Sequence, residues 1–129
     1  MKRLKRLPGV KILVVDDEPD LRDVISSRFE LEGCEVTLAE NGQSAIDAMK
    51  ARRFDAVVTD VRMPGGNGIE LLDAIKDNGD QTAVILISGF TDLEPKDALT
   101  RGAKALLIKP FDLDDIINAV CSAISKELI

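Results

Sequence analysis

Histidine, tryptophan and tyrosine are absent from the 129 residues, and phenylalanine occurs four times. Without imidazole there is no histidine metal site, no Ser-His-Asp or Cys-His nucleophile, and no phosphohistidine on this chain. With so few rings, a stacking platform for single-stranded nucleic acid has little to stack on. The two cysteines, Cys34 and Cys121, make neither a CxxC pair nor a disulfide framework. They read as small buried hydrophobes or idle thiols of a reducing compartment. The longest strictly apolar run is Ala83–Ile87, whereas a membrane span needs about 20 apolar residues. Lys11, then Asp16, Asp17 and Glu18, interrupt the stretch after the basic start, which argues against a secretory signal. The expectation is a cytoplasmic chain with no membrane partner.

What is present is globular in character: 45% hydrophobic and 31% charged residues. The length suits one domain with a core that needs no staples, and leaves no room for a second effector domain of ordinary size. Net charge is −6, from 17 basic and 23 acidic residues. Lys2, Arg3, Lys5 and Arg6 crowd the start, leaving 13 basic against 23 acidic in the remainder. Such a body repels nucleic acid and attracts divalent cations or basic partners. Residues 1–9 are expected to be a basic, solvated arm, and residues 10–129 the folded domain.

Short apolar runs alternate with segments of helical period. Strands are expected at Lys11–Val15, Glu35–Ala39, Ala56–Thr59, Ala83–Ile87 and Ala105–Ile108. Between them, Asp20–Leu31 carries Leu21, Val24, Ile25 and Phe29 on one helical face, and Gly33 stops it. Asn41-Gly42 opens a helix with Ala45, Ile46 and Met49. A helix with Leu71, Leu72 and Ile75 follows the glycine-rich loop Met63–Gly68, and Asn78-Gly79-Asp80 is a turn. Thr91–Glu94 fits a capping box, while Pro95 prefers the first helical position, which would make Glu94 the cap. That helix is short and ends near Arg101. The last helix, capped by Asp112, has Leu113, Ile116, Ile117, Val120, Ile124 and Leu128 as its apolar stripe. The pattern is (βα)5: an α/β, flavodoxin-like, doubly wound parallel sheet of five strands, for which the order 2-1-3-4-5 is favoured.

In a parallel sheet all carboxyl ends lie on one edge. Asp16 and Asp17 end the first strand, Asp60 the third, Ser88 the fourth and Lys109 the fifth. Each alone has a bland explanation as a cap or a solvated charge; jointly they do not. Two like charges about 4 Å apart repel by roughly 4 kcal/mol at an effective dielectric near 20. Lys109 offsets one acid, and a hard divalent cation with oxygen ligands, for which Mg2+ is suited, would offset the rest.

The stretches Ile12-Leu13-Val14-Val15-Asp16-Asp17-Glu18, Thr59-Asp60-Val61-Arg62-Met63-Pro64 with Gly68, Ile85-Leu86-Ile87-Ser88-Gly89, Gly102-Ala103 and Ile108-Lys109-Pro110-Phe111 resemble the receiver domain of bacterial two-component response regulators. They fall in the right order and spacing across nearly the whole domain. The resemblance implies that Asp60 is the phosphoacceptor for a phosphohistidine on a sensor histidine kinase or a histidine phosphotransfer protein. It implies that Asp17, Asp60 and the Arg62 backbone carbonyl ligate Mg2+, with Asp16 acting through water. Ser88 and Lys109 would bind phosphoryl oxygens, and the Lys109-Pro110 peptide would be cis. The output surface would be the last two helices and the fifth strand, around Thr91–Arg101, Leu106 and Asp112–Ser122. It would serve a downstream protein partner, an output domain outside this chain, or a homodimer.

Two departures stand out. Leu106 occupies a position that is often aromatic in the family, which argues against switching through an aromatic rotamer and leaves rearrangement of Ser88–Thr91 and the weak helix after it as the open route. Arg62 and Phe90 flank the acceptor and are bulky, which would obstruct an attacking water and lengthen the phosphoryl lifetime. Three rivals fit less well. A haloacid dehalogenase-type phosphohydrolase needs a second acid where Arg62 stands. A flavin or nucleotide module needs a glycine-rich turn where Asp16-Asp17-Glu18-Pro19 stands. A pseudo-receiver that works without phosphorylation has no need of the intact acid, serine and lysine set.

Overall fold

A helix stands between each strand and the next, which carries the chain back to the same end of the sheet, and all four strand pairs are parallel. The computed structural model describes residues 5–63, 67–78, 81–89 and 94–128, the side chains of Pro95 and of residues 125–128 excepted. The elements alternate as β1 (Lys11–Val15), α1 (Pro19–Leu31), β2 (Glu35–Ala39), α2 (Gly42–Ala51), β3 (Ala56–Asp60), α3 (Gly68–Asp77), β4 (Ala83–Ser88), α4 (Pro95–Thr100), β5 (Ala105–Ile108) and α5 (Leu113–Leu128). The strand order is β2-β1-β3-β4-β5, as expected.

Side chains alternate across the strands and feed two cores. From β1, Ile12 and Val14 join Ile25 and Phe29 of α1 and Ile116, Ile117 and Val120 of α5. Leu13 and Val15 point the other way, into a core with Leu71, Leu72 and Ile75 of α3 and Ala98 of α4. Central position shows in burial: β3 and β4 are buried along their whole length and β1 from Ile12 on, while the edge strands β2 and β5 are mostly half-buried or exposed. Helix starts follow their local chemistry. Pro19 and Pro95 stand at the first helical positions of α1 and α4, so Glu94 is the residue before α4. Thr91–Leu93 of the rival capping box, like Gly79 and Asp80 of the expected turn, lie outside the described residues. Asn41 and Ser44 form a reciprocal capping box at α2, and the Asn67 side chain accepts from the Glu70 amide at α3. At α5 the Asp115 carboxylate accepts from the Asp112 amide at 3.1 Å.

Three details differ from the sequence-based expectation. First, β3 and β4 each run one residue further, placing Asp60 and Ser88 inside the ladder rather than just beyond it. Second, the buried face of α1 is Ile25, Ser26 and Phe29, while Val24 is exposed. The Ser26 hydroxyl donates to the Asp23 carbonyl, which lets a polar residue turn inward and rotates the buried face away from Val24.

Third, residues 5–9 of the expected solvated arm pack onto the domain. The Leu7 amide donates to the Glu32 carbonyl and the Gly9 amide to the Gly33 carbonyl, each at 2.9 Å. The Leu7 side chain joins the α1–α5 core, leaving Lys5 and Arg6 outside. Gly33 makes room for this strap. Its φ is +94°, and a Cβ there would lie 2.9 Å from Pro8 Cα. A single leucine among basic residues is enough to anchor the segment, because burying it removes apolar surface that would otherwise stay wet.

Candidate functional site

The parallel sheet brings Asp16, Asp17 and Asp60 together at the carboxyl ends of β1 and β3. One carboxylate oxygen from each lies within 4.8 Å of the others. Asp16 and Asp60 are buried and Asp17 is exposed. Register fixes this placement. Val15 pairs with Thr59, so the residues that follow each strand emerge side by side.

Asp60 is oriented from two directions. Its Oδ2 accepts from Lys109 Nζ at 3.0 Å, and its Oδ1 accepts from the Arg62 backbone amide at 3.0 Å. Lys109 arrives from the neighbouring edge of the sheet. Ser88 pairs with Ile108, and the Lys109 amide donates to the Ser88 carbonyl at 2.9 Å. The Lys109-Pro110 bond is cis. Behind Asp60 the chain is crowded: a Cβ on Gly68 would sit 2.3 Å from the Asp60 carbonyl oxygen. Glycine is therefore required there by the close approach of α3 to the end of β3, a reason that the sequence motif alone does not supply.

Asp16 is held at its main chain and at its side chain. Its amide donates to the Ala39 carbonyl at 3.1 Å, and its Oδ1 accepts from the Glu18 amide at 2.8 Å. Burial raises the Asp16 pKa above its ordinary value. The Glu18 amide and Lys109 oppose that shift, and the charges of Asp60 and Asp17 add to it. For Lys109, burial works toward a lower pKa, but the hydrogen bond and charge of Asp60, with Asp16 and Glu18 behind it, leave the ammonium favoured and its pKa raised. One ammonium faces three carboxylates, all the offered ligand atoms are oxygens, and the set fits a small hard divalent cation.

The other expected residues fall at different distances from this centre. Ser88 is fully buried at the end of β4, and its hydroxyl donates to the Gly89 carbonyl at 2.7 Å. Arg62 contributes its amide to Asp60 while the residue itself is exposed. Leu106 is partly buried against the α2–α3–α4 core and paired in register with Leu86. Phe90 lies outside the described residues. Sequence reasoning missed Arg22, whose Nη1 donates to the Asp16 carbonyl at 2.7 Å. A bond to a main-chain oxygen leaves no mark in the sequence beyond a basic residue one turn into α1.

A five-stranded doubly wound sheet with an acid cluster and a lysine at its switch point defines a class of signalling module. The family model for the response regulator receiver domain matches residues 12–121, and the chain belongs to that family, the switch domains of two-component signalling. Among curated relatives, sporulation initiation phosphotransferase F of Bacillus subtilis is 35% identical over 111 residues, covering 85% of this chain and 90% of that protein. Regulatory protein AtoC of Escherichia coli is 38% identical over 107 residues, 82% of this chain but 23% of that protein. The probable transcriptional regulatory protein TcrX of Mycobacterium tuberculosis is 35% identical, and this chain spans 50% of it. Among solved structures, a Francisella response regulator receiver domain superposes with a TM-score of 0.86 at 30% identity, covering 92% of this chain and 99% of the other. No helix among the described residues is long and apolar enough to cross a membrane.

Proposed function

We propose that the chain takes a phosphoryl group onto Asp60 from a phosphohistidine of a sensor histidine kinase or a histidine phosphotransfer protein. The observation that carries this reading is the Asp60 carboxylate, fixed by Lys109 and the Arg62 amide and faced by Asp16 and Asp17. An Asp60 oxygen attacks phosphorus in line. The P–N bond breaks, its electron pair stays on the leaving imidazole nitrogen, and an acyl phosphate forms. A carboxylate nucleophile has no proton to remove, so no general base is needed and catalysis rests on positioning and charge. Lys109 passes from the Asp60 oxygen to a phosphoryl oxygen. The Ser88 hydroxyl turns from the Gly89 carbonyl to another. Asp17, Asp60 and the Arg62 carbonyl, with Asp16 through water, would hold Mg2+, which would supply the remaining neutralisation of the equatorial oxygens.

The response is a population shift toward the face of α4, β5 and α5. Leu106 offers no ring to turn inward, so residues 88–91 and α4 carry the change. With six residues α4 is the shortest helix among the described residues, and Leu99 on it is 53% exposed. Beside it Ile108 at the end of the edge strand is 39% exposed. This face would receive a downstream protein, an output domain outside this chain, or a second copy. The acidic body speaks against direct nucleic-acid binding by this domain, and the reading places the protein in the cytoplasm. Arg62 and Phe90 would shield the acyl phosphate from water and lengthen its lifetime.

The test is intact mass after incubation with Mg2+ and phosphoramidate, with Asp60→Asn in parallel. Wild type gains one phosphoryl group and the variant gains none. Equal gain in both would remove Asp60 as acceptor. No gain in a wild type that binds Mg2+ would favour a module that works without phosphorylation.

A further inference from the structure

The turn that presents Asp16 and Asp17 has no glycine and no regular structure, yet both acids must face Asp60. Two interactions tie this turn to α1. The Arg22 amide donates to the Glu18 carbonyl at 3.0 Å, and Arg22 Nη1 donates to the Asp16 carbonyl at 2.7 Å. Asp16 is thus fixed at its amide by Ala39, at its carboxylate by the Glu18 amide and at its carbonyl by Arg22. Asp17 lies between the last two anchors. Arg22 is half-buried, and its guanidinium makes no ion pair among the described residues. A planar, rigid fork directed at a main-chain oxygen orients the chain rather than neutralising an acid.

We infer that Arg22 is a positioning residue of the acid site: by pinning the Asp16 carbonyl it sets the β1–α1 turn so that Asp16 and Asp17 are ready to hold the cation. This deepens the Mg2+ reading above and rests on it. Two accounts of Arg22 differ in sign. If its charge alone mattered, removing it would lessen repulsion and strengthen divalent-cation binding. If it positions the acids, removing it weakens binding, as loss of the groups that orient ligands does in other metal sites.

The variants are Arg22→Ala, which keeps helix propensity high, and Arg22→Lys, which returns a donor on a long stem. Two readouts are taken on the whole chain. Amide hydrogen exchange is followed without metal, and Mg2+ alone is titrated by amide chemical shifts. In Arg22→Ala the amide of Glu18, which donates to Asp16 Oδ1, is expected to exchange faster while those of β3 and β4 keep wild-type rates. Mg2+ affinity falls roughly tenfold, and Arg22→Lys recovers part of both effects. Unchanged exchange at Glu18, or Mg2+ affinity equal to or above wild type, would overturn the inference. Failure of the wild type to bind Mg2+ would instead sink the metal reading, and the metal-free exchange would still decide whether Arg22 orders the turn.

Discussion

At the scale of single residues, Asp16 carries the strongest internal tension. Its carboxyl is buried beside two other acids, and its folded pKa lies above the ordinary value of 3.8. A group raised in this way gives the fold its full contribution below the unfolded pKa and loses it as pH rises through the folded value. Asp16→Asn removes that loss and keeps an Oδ1 that can accept from the Glu18 amide. In the absence of Mg2+ the variant is expected to unfold roughly 2–6 °C above wild type at neutral pH, about what 1 kcal/mol gives a domain of this size. The difference should shrink as pH falls through the raised folded value and vanish below the ordinary value of 3.8, where the carboxyl is protonated in both the folded and the unfolded chain. Thermal unfolding in chelator at several pH values tests this. A lower midpoint for the variant at neutral pH would make Asp16 a structural group.

At the scale of elements, the strap of residues 5–9 is the part of the fold that most exceeds its expected role. Leu7 is 4% exposed, and its carbonyl lies over the Cys34 thiol. Burial, with Glu32, Cys121 and Asp55 adding to it, pushes that thiol up to about 12. Cys34 should therefore resist alkylation at pH 8 in the native protein while the partly exposed Cys121 reacts. Leu7→Ala is expected to cost about 2–4 kcal/mol in denaturant unfolding and to speed labelling of Cys34. Unaltered stability together with unaltered labelling would show that the strap is only laid on the surface. The strap was illegible in the sequence for a physical reason. Its partners, Glu32 and Gly33, are more than twenty residues away, and a short basic segment has no periodicity to reveal one inward-facing leucine. Val24 was misplaced for a related reason. Helical period gives the width of an apolar stripe, but the neighbouring helices decide how the stripe is turned.

At the scale of the molecule, charge separates from topology. The chain is acidic overall, yet what matters for function is that three carboxylates and one ammonium meet at a single edge. Binding a cation to the folded state alone stabilises it by mass action. Mg2+ at ten times its dissociation constant should add about 1.4 kcal/mol, raising the thermal midpoint by roughly 3–6 °C. Asp17→Asn should lose most of that gain. A midpoint that Mg2+ leaves unmoved in wild type would contradict the metal reading. The acid cluster was legible beforehand because a parallel sheet leaves only one edge for the carboxyl ends of its strands, so strand order and the residues following each strand locate the centre. The hydrogen bonds within it were not, because donors to main-chain oxygens and the inward turn of Ser88 depend on how loops close in space.

By itself, then, the sequence determined the alternation of strands and helices and the placing of Asp16, Asp17, Asp60 and Lys109 at one edge of a parallel sheet, since these follow from local apolar period and parallel connectivity; the order 2-1-3-4-5 was favoured by likeness to a known fold and fixed by the structure. Tertiary structure alone decided the docking of Leu7, the glycine required at 68, the outward turn of Val24 and the clamp of Arg22 on Asp16. Each of these depends on contact between surfaces that exist only after the sheet has been covered by its helices.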